Sequence, residues 1–181
     1  MMSKILSTTL LVIGICCLGL YGFFTVQAHY QQKFLEEELY QPLKSPAPVA
    51  GPVRGRVLKE GDLFGRLEIP RLNLSVMVME GDEAGILRLG AGHIPGTPMV
   101  IAGHRDTFFR GLKDIRMDDQ IRFTTPEGIT EYRVVSTKIV GPKDTWVLDK
   151  KSDDTLTLIT CYPFFYIGPA PKRFVVEATK K

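Results

Sequence analysis

The chain has 181 residues, 44% of them hydrophobic, with 23 Lys and Arg against 20 Asp and Glu. That length supplies one domain of ordinary size plus its appendages. The small positive balance is too scattered for a nucleic-acid stripe, and the three histidines and three cysteines offer no CxxC, HExxH or paired Cys/His spacing of the kind zinc needs, so neither a metal nor a cofactor is expected.

Residues 5–26 carry no charge, a run long enough to cross a hydrocarbon core as a helix rising about 1.5 Å per residue. The rival reading is a cleavable signal peptide, for which Val26-Gln27-Ala28 loosely satisfies the small-residue cleavage pattern. The apolar run exceeds the roughly 7 to 15 residues of a signal core, which favours an anchor. Lys4 and the free amine precede the run, whereas Lys33 is followed by Glu36, Glu37 and Glu38. The positive-inside rule then leaves the N-terminus in the cytoplasm and the body of the chain outside. Cys16 and Cys17 fall within the apolar run, and Ile15 stands where a lipoprotein cleavage site has a small residue. They read as lipid-facing or packing residues.

Residues 31–40 are compatible with a short polar helix, after which Pro42, Pro46, Pro48 and Pro52 crowd one stretch. Prolines at that density favour an extended, semi-rigid spacer. The expected organisation is a cytoplasmic N-terminus and membrane anchor over 1–28, a proline-rich spacer over 29–53, and a folded domain over 54–181.

The domain has the texture of many short strands. Residues 64–69 alternate apolar and polar and stop at Pro70, and 74–79 form a second apolar run, so a hairpin is expected around 70–73. Residues 83–89 suggest a short helix closed by Gly90. A brief buried strand over 99–102 leads into Gly103-His104, and 108–115 suggest helical turns with Phe109, Leu112 and Ile115 facing inward. Pro126-Glu127-Gly128 marks the turn of a second hairpin between 120–125 and 130–140. Strands over 155–161 and 173–177 complete the set. Helices this small cannot cover a parallel sheet, so the composition argues for an antiparallel barrel or sandwich.

Cys161 is the one cysteine of the exported part, at the end of Thr155-Leu156-Thr157-Leu158-Ile159-Thr160-Cys161. Outside a membrane thiols are usually oxidised in pairs, so a lone one is either a small buried hydrophobe or a reactive group. Nucleophilic catalysis by cysteine needs a proton donor for the leaving group and a cation or backbone donor for the oxyanion. His104, following Gly103 at a strand end, and Arg173, opening the last strand, are the candidates. Gly103 would relieve crowding beside the imidazole. A turn histidine and a strand arginine are ordinarily surface or hydrogen-bonded groups, and His93, in Gly92-His93-Ile94-Pro95-Gly96-Thr97, fits that ordinary role better than His104 does. Trp146 reads as a packing residue.

Thr157-Leu158-Ile159-Thr160-Cys161 matches the TLxTC signature of sortases, the membrane-bound cysteine transpeptidases of bacterial surfaces. Ile101-Ala102-Gly103-His104-Arg105-Asp106-Thr107 resembles their histidine segment, and Pro171-Lys172-Arg173-Phe174-Val175-Val176 resembles the segment that carries their arginine. Tyr162-Pro163-Phe164 and the residues beyond it are most similar to the sortases grouped as class D. The resemblance implies a mostly β, closed antiparallel barrel of about eight strands with short helices, preceded by one transmembrane helix. It also implies a catalytic set of Cys161, His104 and Arg173. The enzyme would cleave an LPxTG-like sorting signal after its Thr, through a thioester, and pass the protein to an amine, either a cell-wall peptide or a pilin lysine. Its partners would be surface proteins carrying that signal, with one membrane span and no nucleic acid.

One departure from the family pattern is a shortened connection before His104, where only Pro98 separates Gly96-Thr97 from Met99. It bears on local strand register and one groove wall, and leaves the three catalytic positions intact. The alternative to an enzyme is a non-catalytic, membrane-tethered β-barrel that binds envelope proteins. Thiol-disulfide exchange is disfavoured because the exported domain has no resolving cysteine.

Overall fold

The computed structural model describes residues 9–27, 30, 58–149 and 154–181. The polar helix expected over 31–40, the proline spacer and the boundaries at 28/29 and 53/54 lie outside the described residues. Helix α1 (Thr9–Gln27) is long and apolar enough to cross a bilayer. Its Leu, Ile, Val and Phe side chains, with Cys16 and Cys17, stand exposed along its length.

The domain is a closed barrel of eight strands: β1 (Leu63–Ile69), β2 (Leu74–Glu80), β3 (Ala91–His93), β4 (Val100–Gly103), β5 (Gln120–Thr125), β6 (Gly128–Val140), β7 (Thr155–Tyr162) and β8 (Lys172–Lys180). They close in the order β1-β2-β3-β4-β7-β8-β6-β5. Both expected hairpins form. Pro70 cannot donate to a ladder, and a 3-10 turn over Pro70–Leu72 ends at Asn73, whose left-handed φ of 48° Asn tolerates. The β5–β6 turn closes at Gly128, whose φ of 148° suits only glycine.

Two seams are parallel, β2 with β3 and β4 with β7, in a barrel otherwise antiparallel as expected. The short helix α2 (Ala84–Leu89) carries the chain back along β2, so β3 restarts beside β2 in the same direction. Gly90 closes α2 by donating to the Ile86 carbonyl, with an extended φ rather than a left-handed one. β3 was not among the expected strands.

Alternation puts Leu67, Ile69, Val76, Val78, Ile101, Ile121, Phe123, Leu156, Leu158 and Val176 inside the barrel, where all are buried. Phe109 and Leu112, on the turn around Arg110–Asp114, are fully buried beneath one end, and Ile115 packs against them as expected. A bulge at Val135 shifts β6 by one residue between Val134 and Ser136, so the strand keeps the same face inward on both sides of it.

Two buried polar groups lock loops to this frame. His93 lies in β3 rather than in a turn, and it is buried and hydrogen-bonded, in keeping with the ordinary hydrogen-bonded role expected of it. Its Nδ1 is 2.7 Å from a Glu80 carboxylate oxygen and its Nε2 is 3.0 Å from the Thr97 carbonyl. Its ring stacks on Phe64 at 4.2 Å. The shortened 94–99 connection is closed by the Ile94 amide on the Val100 carbonyl, and β3 and β4 keep a regular register of Gly92 on Ala102 and His93 on Ile101.

At the other end Asp119, also buried, accepts from Arg71 Nη2 at 2.6 Å and from the Arg116 amide at 2.8 Å. The hydrogen bonds from Arg71, and secondarily the Arg116 amide, hold the Asp119 carboxyl below the usual carboxylate range against its desolvation. A depressed pKa gives stability that is complete above the unfolded value of about 3.9 and is lost as pH falls through the folded one. The melting temperature should therefore fall as pH drops below about 4. Asp119→Asn should melt lower at neutral pH and show a flatter acid limb, as scanning calorimetry between pH 7 and pH 2.5 would reveal.

Candidate active site

The outward-facing residues of β4, β7, β8 and β6 form a grid of rows. Register aligns Val100, Thr157, Glu177 and Ser136 in one row, and Ala102, Ile159, Val175 and Lys138 in the next. In the third row Cys161 pairs with Arg173, which pairs with Val140. Gly103 pairs with Thr160 on the parallel seam, so His104, one residue further, comes level with Cys161. The three candidates thus occupy one cross-strand row on three adjacent strands, at backbone spacings of about 4.8 Å. Cys161 is half-buried, faces away from the core, and is a free thiol. The reading of it as a buried core hydrophobe does not describe this position.

Each member of the row is fixed by its neighbours. The Thr160 hydroxyl, buried inside, donates to the Gly103 carbonyl at 2.7 Å and staples the two strand ends beneath Cys161 and His104. Gly103 is required for a different reason from the one expected. A Cβ there would lie 2.7 Å from the Phe109 ring, on the inner side of the strand, so the crowding it relieves is in the core and not beside the imidazole. The His104 carbonyl accepts from the Phe109 amide at 3.0 Å, which closes the turn after β4. Arg173 donates through Nη1 to the carbonyls of Ala170 and Lys172 at 3.2 and 3.0 Å.

Behind the row, Tyr162, Phe164 and Phe174 form an aromatic cluster, with ring centroids 5.4 to 6.3 Å apart. Phe164 and Phe174 also pack on the main core. The strand ends bearing Cys161 and Arg173 therefore rest on a rigid backing. Beside the row, Ala102 and Ile159 offer an apolar floor, and Val147 on the 3-10 turn Thr145–Leu148 covers Val140 and Val175. Val147 is the buried residue of that turn. Trp146 is largely exposed, with Lys138 Nζ 5.5 Å from its ring centroid, so it is not the packing residue expected.

Arg105 escaped the sequence reading. It donates through Nη2 to the carbonyls of Tyr166 and Gly168, in the loop between β7 and β8, at 2.7 and 3.2 Å. Its partners lie some sixty positions downstream, and only its place directly after His104 could have drawn notice. No group of three or more His, Cys, Asp and Glu able to hold a metal occurs among the described residues.

The sortase domain model matches residues 67–181. Sortase D of Bacillus subtilis (strain 168) is 30% identical over 192 aligned positions, covering 97% of each chain. Among solved structures, a Clostridium perfringens sortase D5 transpeptidase superposes with a TM-score of 0.64 at 24% identity, over 84% of this chain and 97% of that one. A Clostridium perfringens sortase C, solved with the C-terminal cell wall sorting motif, gives 0.63 at 24% identity, over 86% and 89%. The chain belongs to the sortase family of cysteine transpeptidases, and within that family its likeness runs to the class D members.

Proposed function

We propose that Cys161, His104 and Arg173 perform the transpeptidation, and that the substrate is an LPxTG-like sorting signal cleaved after its Thr. The observation that carries this reading is the single outward row, in which Cys161, a free and half-buried thiol, stands between the positions of His104 and Arg173. Cys161 Sγ passes its proton to His104 and attacks the Thr carbonyl carbon as a thiolate, and the oxygen takes up the displaced electron pair. Arg173 donates to that oxyanion, a role suited to its fixed charge and planar fork. As the C–N bond breaks, His104 gives its proton to the departing amine and a thioester remains on Cys161. An incoming amine attacks the thioester, its proton passes to His104, and the C–S bond breaks to release the thiolate, which recovers the thiol by taking that proton back from His104. The exposed side of Ala102 and Ile159 suits the apolar residues that precede the cleaved bond.

The chain divides, on this reading, into an anchor over 1–28 with its N-terminus in the cytoplasm, a spacer over 29–53 and an extracytoplasmic catalytic domain over 54–181. A substrate paused in the same bilayer by its own apolar tail meets an anchored enzyme in two dimensions, which raises effective concentration without new contacts.

The test is a product assay with the full chain in detergent, an LPxTG peptide, a scrambled peptide and an amine acceptor. The expected product joins the peptide's Thr to the amine, from the LPxTG peptide only. Equal turnover of the scrambled peptide, or cleavage at another bond, would overturn the substrate assignment.

A further inference from the structure

The loop between β7 and β8 begins two residues after Cys161, and it is fastened along its length. At its start Phe164 lies in the aromatic cluster, and at its end the Ala170 carbonyl accepts from Arg173. Its middle, with Phe165, Tyr166 and Ile167 exposed, is held from the segment that follows His104. Arg105 Nη2 reaches the Tyr166 and Gly168 carbonyls, its guanidinium carbon sits 5.7 Å from the Tyr166 ring centroid, and Lys113 Nζ sits 5.4 Å from that of Phe165. The other terminal nitrogen, Arg105 Nη1, is buried without a hydrogen-bond partner. Buried donors are nearly always paired, and one left over calls for an explanation.

We infer that Arg105 is a positioning residue for the reaction: its guanidinium, clamped between the His104 turn and the β7–β8 loop, sets the spacing of His104 from the loop that follows Cys161. The turn itself is closed by the Phe109 amide on the His104 carbonyl, so Arg105 and His104 move as one piece. Holding that piece against the loop limits the drift of the imidazole across the row. A single terminal nitrogen, Nη2, serves both carbonyls from a rigid planar group, a placement that an ammonium on a flexible stem does not reproduce. An unpartnered Nη1 is then the cost of placing the fork where those carbonyls require it.

The inference rests on the proposed roles of Cys161 and His104, and the experiment separates the two. Steady-state transpeptidation by the full chain in detergent is compared for wild type, Arg105→Ala and Arg105→Lys, with thermal melts alongside. Misplacing a reacting group by about 1 Å can cost up to roughly a hundredfold in rate. R105A should lower kcat by about tenfold to a hundredfold, with KM for the sorting peptide near the wild-type value and an unchanged melting temperature. R105K, which keeps the charge, should recover only a small part of that loss.

A kcat for R105A equal to wild type would overturn the inference, as would full recovery by R105K, which would make charge the only requirement. Loss of kcat only in step with loss of folded protein would also overturn it. Should R105A fail to fold, Arg105→Gln carries the same test, with lowered kcat supporting the inference and wild-type kcat overturning it. A wild-type chain inactive on the peptide would sink the proposed function itself.

Discussion

Cys161→Ala should eliminate acyl transfer, with turnover falling by at least about 10⁴-fold, the scale on which removal of a covalent nucleophile acts. The fold should survive. Cys161 faces outward and is half-buried, so alanine leaves no cavity in the barrel core, where Leu156 and Leu158 provide the buried area of this strand. Its ladder with Arg173 runs through backbone groups that alanine retains. Circular dichroism and the melting temperature should match wild type while transpeptidation is absent. Activity in C161A would remove the thiol from the mechanism, and a collapsed fold would return Cys161 to a packing role.

His104→Ala should cost about 10² to 10⁴-fold in kcat, the range spanned by a general acid–base. On the proposed mechanism both half-reactions need it: the first to protonate a leaving amine, the second to take a proton from the attacking one. The double variant C161A/H104A should be no worse than C161A alone, because residues that act as a unit do not add. His93 provides the contrast. It lies on the same sheet, but its ring is enclosed by Glu80, Thr97 and Phe64, so its removal should appear in the melt. Steady-state kinetics of H104A beside its melting curve make the distinction, and an H104A enzyme with wild-type kcat would exclude the assigned role.

The hairpins were legible because their cues are local. Pro70 and Asn73 separate one pair of strand-like runs, and Pro126 and Gly128 another. β3 was not legible, because Ala91-Gly92-His93 has no alternation to read and its place comes from a parallel seam with β2 that spans α2. The parallel seam of β4 with β7 is equally non-local, and it is the seam that brings His104 level with Cys161.

The outward direction of Cys161 was hidden for a different reason. Leu156, Thr157 and Leu158 are all buried, since the outer face of β7 is itself covered. A strand buried on both sides shows no period. The candidate site was legible through three family-like segments and not through spacing, and the register supplies a geometric reason for those segments to converge. Arg105 left no signal because its partners are backbone carbonyls, which any residue in the loop would present.

The most direct test of the central claim is the mass of the enzyme caught in the act. The full chain, mixed with an LPxTG peptide in the absence of an amine and quenched in acid, should gain the mass of the peptide through its Thr. Digestion should place that mass on the fragment carrying Cys161, as a bond cleaved by hydroxylamine. Product accumulating with no such adduct at any time, or an adduct on a different residue, would contradict the account.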